Sequence, residues 1–178
     1  MIKSITLLFL ATLMVVACKN TESKEAIPSE EAVKTTTYYL IRHAEKDRSD
    51  QANKDPMLTD EGNARAERWS AYFDSISLDA VYSTKYLRTV MTATPTATKK
   101  SLDVLPYDPS NLYDEDFKSA TVEKTVLVVG HSNTTPAFVN KIIGDSTFGD
   151  MKDTDNASLY VVTIIKDSSK VEIRTVEQ

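Results

Sequence analysis

Short runs of apolar and β-branched residues recur along the chain, and each stops at a polar or charged step. Asp79–Ser83 reads as a short strand, and Thr37–Ile41 and Val126–Val129 are too short and too continuously apolar for surface helices. The latter two fit strands buried on both faces of a sheet. Between Ile41 and Asp79, Trp69, Tyr72, Phe73 and Ile76 recur at helical spacing behind Thr59, a predicted N-cap, with Asp60 and Glu61 at the positive end of the helix dipole. A second helix is expected from about Thr84. Leu87, Val90, Met91 and Thr94 mark its inner face, and Pro95 should kink or end it. Val104-Leu105 reads as an edge strand before Pro106 and Pro109, and Asp114, Glu115 and Asp116 open a short helix. After Val129, Ser132 or Asn133 is expected to cap a helix with Pro136 in its first turn, Phe138, Ile142 and Ile143 facing inward, and Gly144 closing it. Ser158–Ile165 and Val171–Val176, joined by Asp167-Ser168-Ser169, form a closing hairpin. Strands alternating with helices predict an α/β fold, a three-layer α/β/α sandwich with a mostly parallel central sheet and an antiparallel edge.

The first twenty residues follow another pattern. Lys3 precedes an apolar run, Ile5–Val16, which is too short to cross a bilayer and has the form of a signal sequence. It closes on Val15-Val16-Ala17-Cys18, which resembles the bacterial lipoprotein lipobox. That resemblance implies a signal peptide over residues 1–17 and a lipid-modified Cys18 that anchors the protein to the membrane outside the cytoplasm, in the bacterial cell envelope. The polar stretch 18–35 cannot bury enough surface to fold and reads as a flexible tether, leaving 36–178 as one domain. Cys18 is the only cysteine, so the chain can form no internal disulfide. A net charge of −5 disfavours a nucleic-acid partner, so an anionic ligand must be held by local positive charge.

Local positive charge gathers at the strand ends. The chain has two histidines, and each stands just beyond a buried strand: Arg42-His43 after the first, Gly130-His131-Ser132-Asn133 after the third. Arg88 follows the second strand. Ligands of open α/β sheets bind at these carboxyl ends. No phosphate-loop, dinucleotide or nucleophile-elbow motif is present, and no cysteine lies inside the domain. Two histidines without a third ligand make a weak zinc site, and the aspartates of the acidic loop Asp145–Asn156 lack calcium-loop spacing, so neither metal nor cofactor is expected. What remains is an anion pocket. Arg42 and Arg88 can grip phosphate oxygens in bidentate fashion, neutral His43 can attack phosphorus, and protonated His131 can stabilise the transferring group.

Arg42-His43-Ala44-Glu45 resembles the Arg-His-Gly signature of the histidine phosphatase (phosphoglycerate mutase-like) superfamily. Leu58-Thr59-Asp60-Glu61-Gly62, Tyr82-Ser83-Thr84 with Arg88-Thr89 and Thr92-Ala93, and Val129-Gly130-His131-Ser132-Asn133 are similar to its later motifs, in order. The resemblance implies that His43 is phosphorylated and then hydrolysed by water, with Arg42, Arg88 and His131 holding the phosphoryl group and Ser132 and Asn133 beside it. Ala44 departs from the usual glycine. The short segment from Arg88 to His131 resembles the compact phosphatases, phosphohistidine phosphatases among them, rather than the mutases. The expected substrate is a phosphorylated small molecule or phosphoprotein. Two carboxylates are candidates for the acid that protonates the leaving group: Glu45, two residues past His43 and on the same side of an extended chain, and Asp108, in the segment that carries the acid in relatives. The alternative to catalysis is an envelope lipoprotein that keeps the pocket to bind phosphate or phosphopeptides without turnover.

Overall fold

A computed structural model describes residues 34–176; the signal run, Cys18 and nearly all of the tether lie outside the described residues. Six strands form one sheet in the order β3-β2-β4-β1-β5-β6. β1 (Thr35–Arg42), β2 (Ala80–Ser83), β3 (Val104–Pro106) and β4 (Thr125–Gly130) run parallel, while β5 (Ser158–Ile165) and β6 (Ser168–Thr175) add an antiparallel hairpin at the edge. Because side chains alternate along β1 and β4, the sheet has two apolar faces. Tyr38, Leu40, Val126 and Val128 meet Phe117 of α3 (Glu115–Thr121) and Phe138 of α4 (Thr134–Ile143). Ile41, Leu127 and Val129 meet Trp69 of α1 (Asp60–Tyr72) and Ala93 and Ala97 of α2 (Leu87–Lys99). Each such core side chain contributes roughly 1.5–3 kcal/mol by burial. The three-layer α/β/α architecture is therefore the expected one.

Several local expectations are corrected. α1 starts as predicted, with the Thr59 hydroxyl accepting from Gly62 N at 3.1 Å, but it ends at Tyr72, and Ile76 packs from the turn beyond. The helix expected from Thr84 starts at Leu87 and runs straight through Pro95 to Lys99. One backbone bond is forfeited at the proline, and the packing of Ala93 and Ala97 on the sheet holds the helix together. Its inner face is also rotated from the expected one. Thr89, Thr92, Ala93, Thr96 and Ala97 are buried, whereas Leu87 is 45 % exposed and Thr94 faces solvent. Small threonine and alanine side chains let the helix sit close on the sheet; Thr92 turns its hydroxyl back to Arg88 O at 2.7 Å, whereas Thr96 Oγ1 is buried without a partner. α4 begins at Thr134 without a side-chain cap from Asn133. Instead, Thr134 Oγ1 accepts from His131 N at 2.9 Å. Gly144 closes α4 in the left-handed region (φ 69°). β6 starts three residues earlier than predicted, because the hairpin turns at Lys166-Asp167, with Lys166 at φ 55°.

Candidate active site

The register of the sheet brings the predicted residues together. β1 and β4 pair with Arg42 opposite Gly130, and β2 and β4 pair with Ser83 opposite Val129. The next residues of all three strands therefore emerge at one edge. His43 N donates to Gly130 O at 2.9 Å, and the imidazoles of His43 and His131 meet edge to face with ring centroids 5.5 Å apart. Gly130 leaves room for this turn, since a Cβ there would lie 2.8 Å from Thr135 Oγ1 and Tyr107 Oη. Arg42, His43, Arg88, His131, Ser132 and Asn133 all line one cavity of about 420 Å³, with Lys46, Tyr86, Ser110 and Asp153 on its rim.

His43 is 3 % exposed, and its Nδ1 lies 2.7 Å from Ala44 O. A carbonyl only accepts, so Nδ1 carries the proton and Nε2 keeps its lone pair. Burial pushes the His43 pKa down to about 3; the Arg42, His131 and Arg88 charges act in the same direction, against the Ala44 hydrogen bond. The imidazole is thus neutral at physiological pH, with an Nε2 lone pair that could serve as a nucleophile. Asn156 Nδ2 donates to His43 O at 2.7 Å, and Ala44 N donates to Thr92 Oγ1 at 2.9 Å, so the backbone is fixed on both sides of the ring.

His131 has the opposite tautomer. Arg88 Nη2, which can only donate, lies 3.4 Å from His131 Nδ1, while Nε2 meets Thr84 Oγ1 at 3.0 Å and Thr84 Oγ1 meets Thr89 Oγ1 at 2.8 Å. Thr89 in turn donates to Tyr86 O at 2.8 Å. The chain of donors is consistent only if Nε2–H points at Thr84. Burial, reinforced by Arg88 and Arg42, lowers His131 to about 4. A phosphoryl dianion between these groups would act in the opposite sense and favour the imidazolium.

The two arginines are held differently. Arg42 is 2 % exposed; its Nη1 donates to the carbonyls of Lys152 (3.1 Å), Asp153 (2.7 Å) and Asp155 (3.2 Å), and its Nη2 to Asp153 Oδ1 at 2.6 Å. Arg88 is held loosely, by Asp55 Oδ1 at 3.5 Å and by the face of Tyr86, 4.3 Å from its guanidinium carbon. Both Nε atoms are buried without a protein partner.

Neither candidate acid lines this cavity, but Glu45 borders an adjoining one together with His43 and Lys46. Glu45 Oε1 accepts from Arg65 Nε at 2.7 Å, on the α1 side of His43. Asp108 is exposed, its Oδ1 accepts from Ser110 N at 2.8 Å, and it borders a neighbouring cleft. The residues that sequence reasoning missed come from the 151–156 segment. Asp153 bridges Arg42 and Arg48, whose hydrogen bonds hold its carboxyl below the usual range, and Asn156 fixes the His43 carbonyl. Nothing in the local pattern of that loop marks them. Arg42, a buried charge that demands a partner, is the one signal that could have led there.

Residues 38–109 match the profile of the histidine phosphatase superfamily (branch 1), a span that includes Arg42, His43 and Arg88 and stops short of His131. Among curated proteins, no sequence matches the chain. Solved structures share its fold. The Agrobacterium tumefaciens protein described as the phosphohistidine phosphatase SixA is 22 % identical, with 79 % of this chain and 98 % of that one covered and a TM-score of 0.58. A mycobacterial glucosyl-3-phosphoglycerate phosphatase complexed with VO3 is 12 % identical over 80 % and 100 % of the two chains, with a TM-score of 0.65. A phosphoglycerate mutase from Bacillus anthracis is 14 % identical over 79 % and 92 %, with a TM-score of 0.60.

Proposed function

We propose that the chain is a histidine phosphatase that hydrolyses phosphate monoesters, or phosphorylated protein side chains, without a metal ion. The observation that carries this reading is the His43 ring: buried, neutral, with Nδ1 spent on Ala44 O and the Nε2 lone pair unspent, in a cavity flanked by two arginines and a second histidine. In the first step His43 Nε2 attacks phosphorus, the ester P–O bond breaks, and the leaving oxygen departs with its electron pair and takes up a proton. Arg88 and His131 meet the charge on the transferring oxygens, and Arg42 adds a fixed positive charge at the strand end. In the second step water attacks phosphorus, the P–N bond breaks, and the lone pair returns to Nε2 as phosphate leaves. The profile match over β1 to β3, and a fold shared with phosphatases, support the same class.

Brief incubation with a labelled monoester should mark the protein with an acid-labile, alkali-stable phosphate that His43→Ala abolishes and chelators leave unchanged. Turnover that persists in His43→Ala, or that requires a divalent ion, refutes the mechanism. A pocket that binds phosphate without turnover would show no label. We infer further that Cys18 carries the lipid anchor, with several acyl chains, since one chain holds a membrane only weakly. Unchanged processing and membrane partitioning of Cys18→Ser would overturn that anchor.

A further inference from the structure

A second cleft, of about 490 Å³, adjoins the phosphoryl pocket and shares Tyr86 and Pro109 with it. Its other walls are Pro106 and Tyr107, with Lys85 and Asp108 as its charged groups. Tyr86 stands at the junction. Its ring packs at 90° to His131 with centroids 5.1 Å apart, one face lies over the Arg88 guanidinium, and the residue is still 41 % exposed. Held by two pocket residues and lining both cavities, the Tyr86 ring offers each an aromatic surface. The cleft begins where a phosphoryl group bound by Arg88 and His131 would end, so its occupant is the group that phosphate leaves. Rings dominate the walls. The only other side-chain polar groups are Thr84, whose Oγ1 is spent on His131 and Thr89, and the deeply buried Tyr107. A sugar would find few uncharged partners here, whereas a flat apolar ring would find the rings of Tyr86, Pro106 and Pro109.

We propose that this cleft is the leaving-group subsite and that it takes a planar aromatic group, which makes a phosphate monoester of a phenol the substrate class. This rests on the phosphatase reading given above. Asp108 at the cleft would then face the departing oxygen's substituent, not the phosphoryl oxygens.

The test compares phenyl phosphate with acetyl phosphate, which lacks the ring, on the full chain. Tyr86 caps α2 through its backbone and makes no side-chain cap, so Tyr86→Leu spares the helix start. The ratio of kcat/KM for phenyl over acetyl phosphate should fall about tenfold in Tyr86→Leu, the scale of a single aromatic packing interaction, and stay within about twofold in Tyr86→Phe. Taking the ratio cancels any loosening of Arg88, which both substrates need. Pro109→Ala, the other residue shared by the two cavities, should lower the ratio in the same direction. Turnover with an unchanged ratio in both Tyr86→Leu and Pro109→Ala overturns the subsite and leaves the phosphatase reading standing. Absence of turnover and of label on His43 with either substrate overturns both.

Discussion

Lowering the pH from 7 to 5 should destabilise the fold through its two histidines before the carboxylates contribute. An unfolded histidine titrates near ~6.5, while burial holds His43 down to about 3 and His131 down to about 4. Between those values the unfolded chain binds protons that the native state refuses. Stability therefore rises with pH across this window and is lost as pH falls through the unfolded value. At pH 5 the native rings are still neutral while the unfolded ones are largely charged, which costs about 2 kcal/mol for each histidine and about 4 kcal/mol for the pair. Unfolded aspartate and glutamate take up protons mainly below ~4.5, so they add little in this interval. Urea denaturation at pH 7, 6 and 5 and constant ionic strength measures the loss. His43→Asn, which removes one titrating ring, should cut the pH-dependent part by about half whatever it does to absolute stability. A wild-type protein as stable at pH 5 as at pH 7, or a His43→Asn variant with the full dependence, would refute the neutral buried pair.

Two further outcomes follow from the packing at and beside the site. Arg88→Lys keeps the charge but loses the planar fork and the stacking on Tyr86, so kcat/KM should fall by ~2–3 kcal/mol of transition-state stabilisation; normal kinetics would place Arg88 outside the reaction. Gly62→Ala should lower stability by ~1–3 kcal/mol despite the better helix former, because the added Cβ would collide with the Glu45 carbonyl oxygen; an unchanged denaturation midpoint would contradict that close approach.

What the sequence made legible was whatever depends on local pattern plus the rule that α/β ligands sit at strand ends. β1 and β4 announce themselves as apolar runs and β2 as a shorter stretch between polar residues, and their register delivers Arg42, His43, Arg88 and His131 to one edge. The phase of α2 was illegible because the buried stripe is threonine and alanine, residues that hydropathy ranks below the leucine and methionine beside them. The role of the 151–156 segment was illegible for another reason. Its contacts are made by three backbone carbonyls to Arg42, by the Asp153 carboxylate to Arg42 and Arg48, and by one amide side chain to His43; a loop's carbonyls carry no sequence signal, and Asp153 is one of several aspartates in the acidic loop. The environment of Glu45 depended on Arg65, one helix away, which no spacing rule connects to it.

That ion pair decides what removing Glu45 should do. The two side chains are 21 % and 10 % exposed, and Glu45 Oε2 is buried with no partner of its own. The Glu45 backbone is also committed, with its carbonyl accepting from Thr59 N at 2.9 Å at the start of α1. Glu45→Gln can keep an oxygen on Arg65 Nε but leaves the guanidinium without its counter-charge, a cost of ~1–3 kcal/mol for a pair this well covered. Arg65→Met should cost a similar amount, and the double variant much less than the sum, because each single change already breaks the pair. The kinetic outcome follows from the same geometry. A true leaving-group acid matters by roughly 10²–10⁴ for alkyl phosphates and hardly at all for phenyl phosphate. With its carboxylate held by Arg65 and outside the cavity that Arg42, Arg88 and His131 line, though in an adjoining cavity that His43 also borders, Glu45→Gln should slow alkyl and phenyl phosphates together, by less than about tenfold, through the position of His43 two residues before it. A selective collapse of alkyl phosphate turnover with stability intact would show that the carboxylate leaves Arg65 to protonate the departing oxygen, and would overturn its assignment as a structural partner.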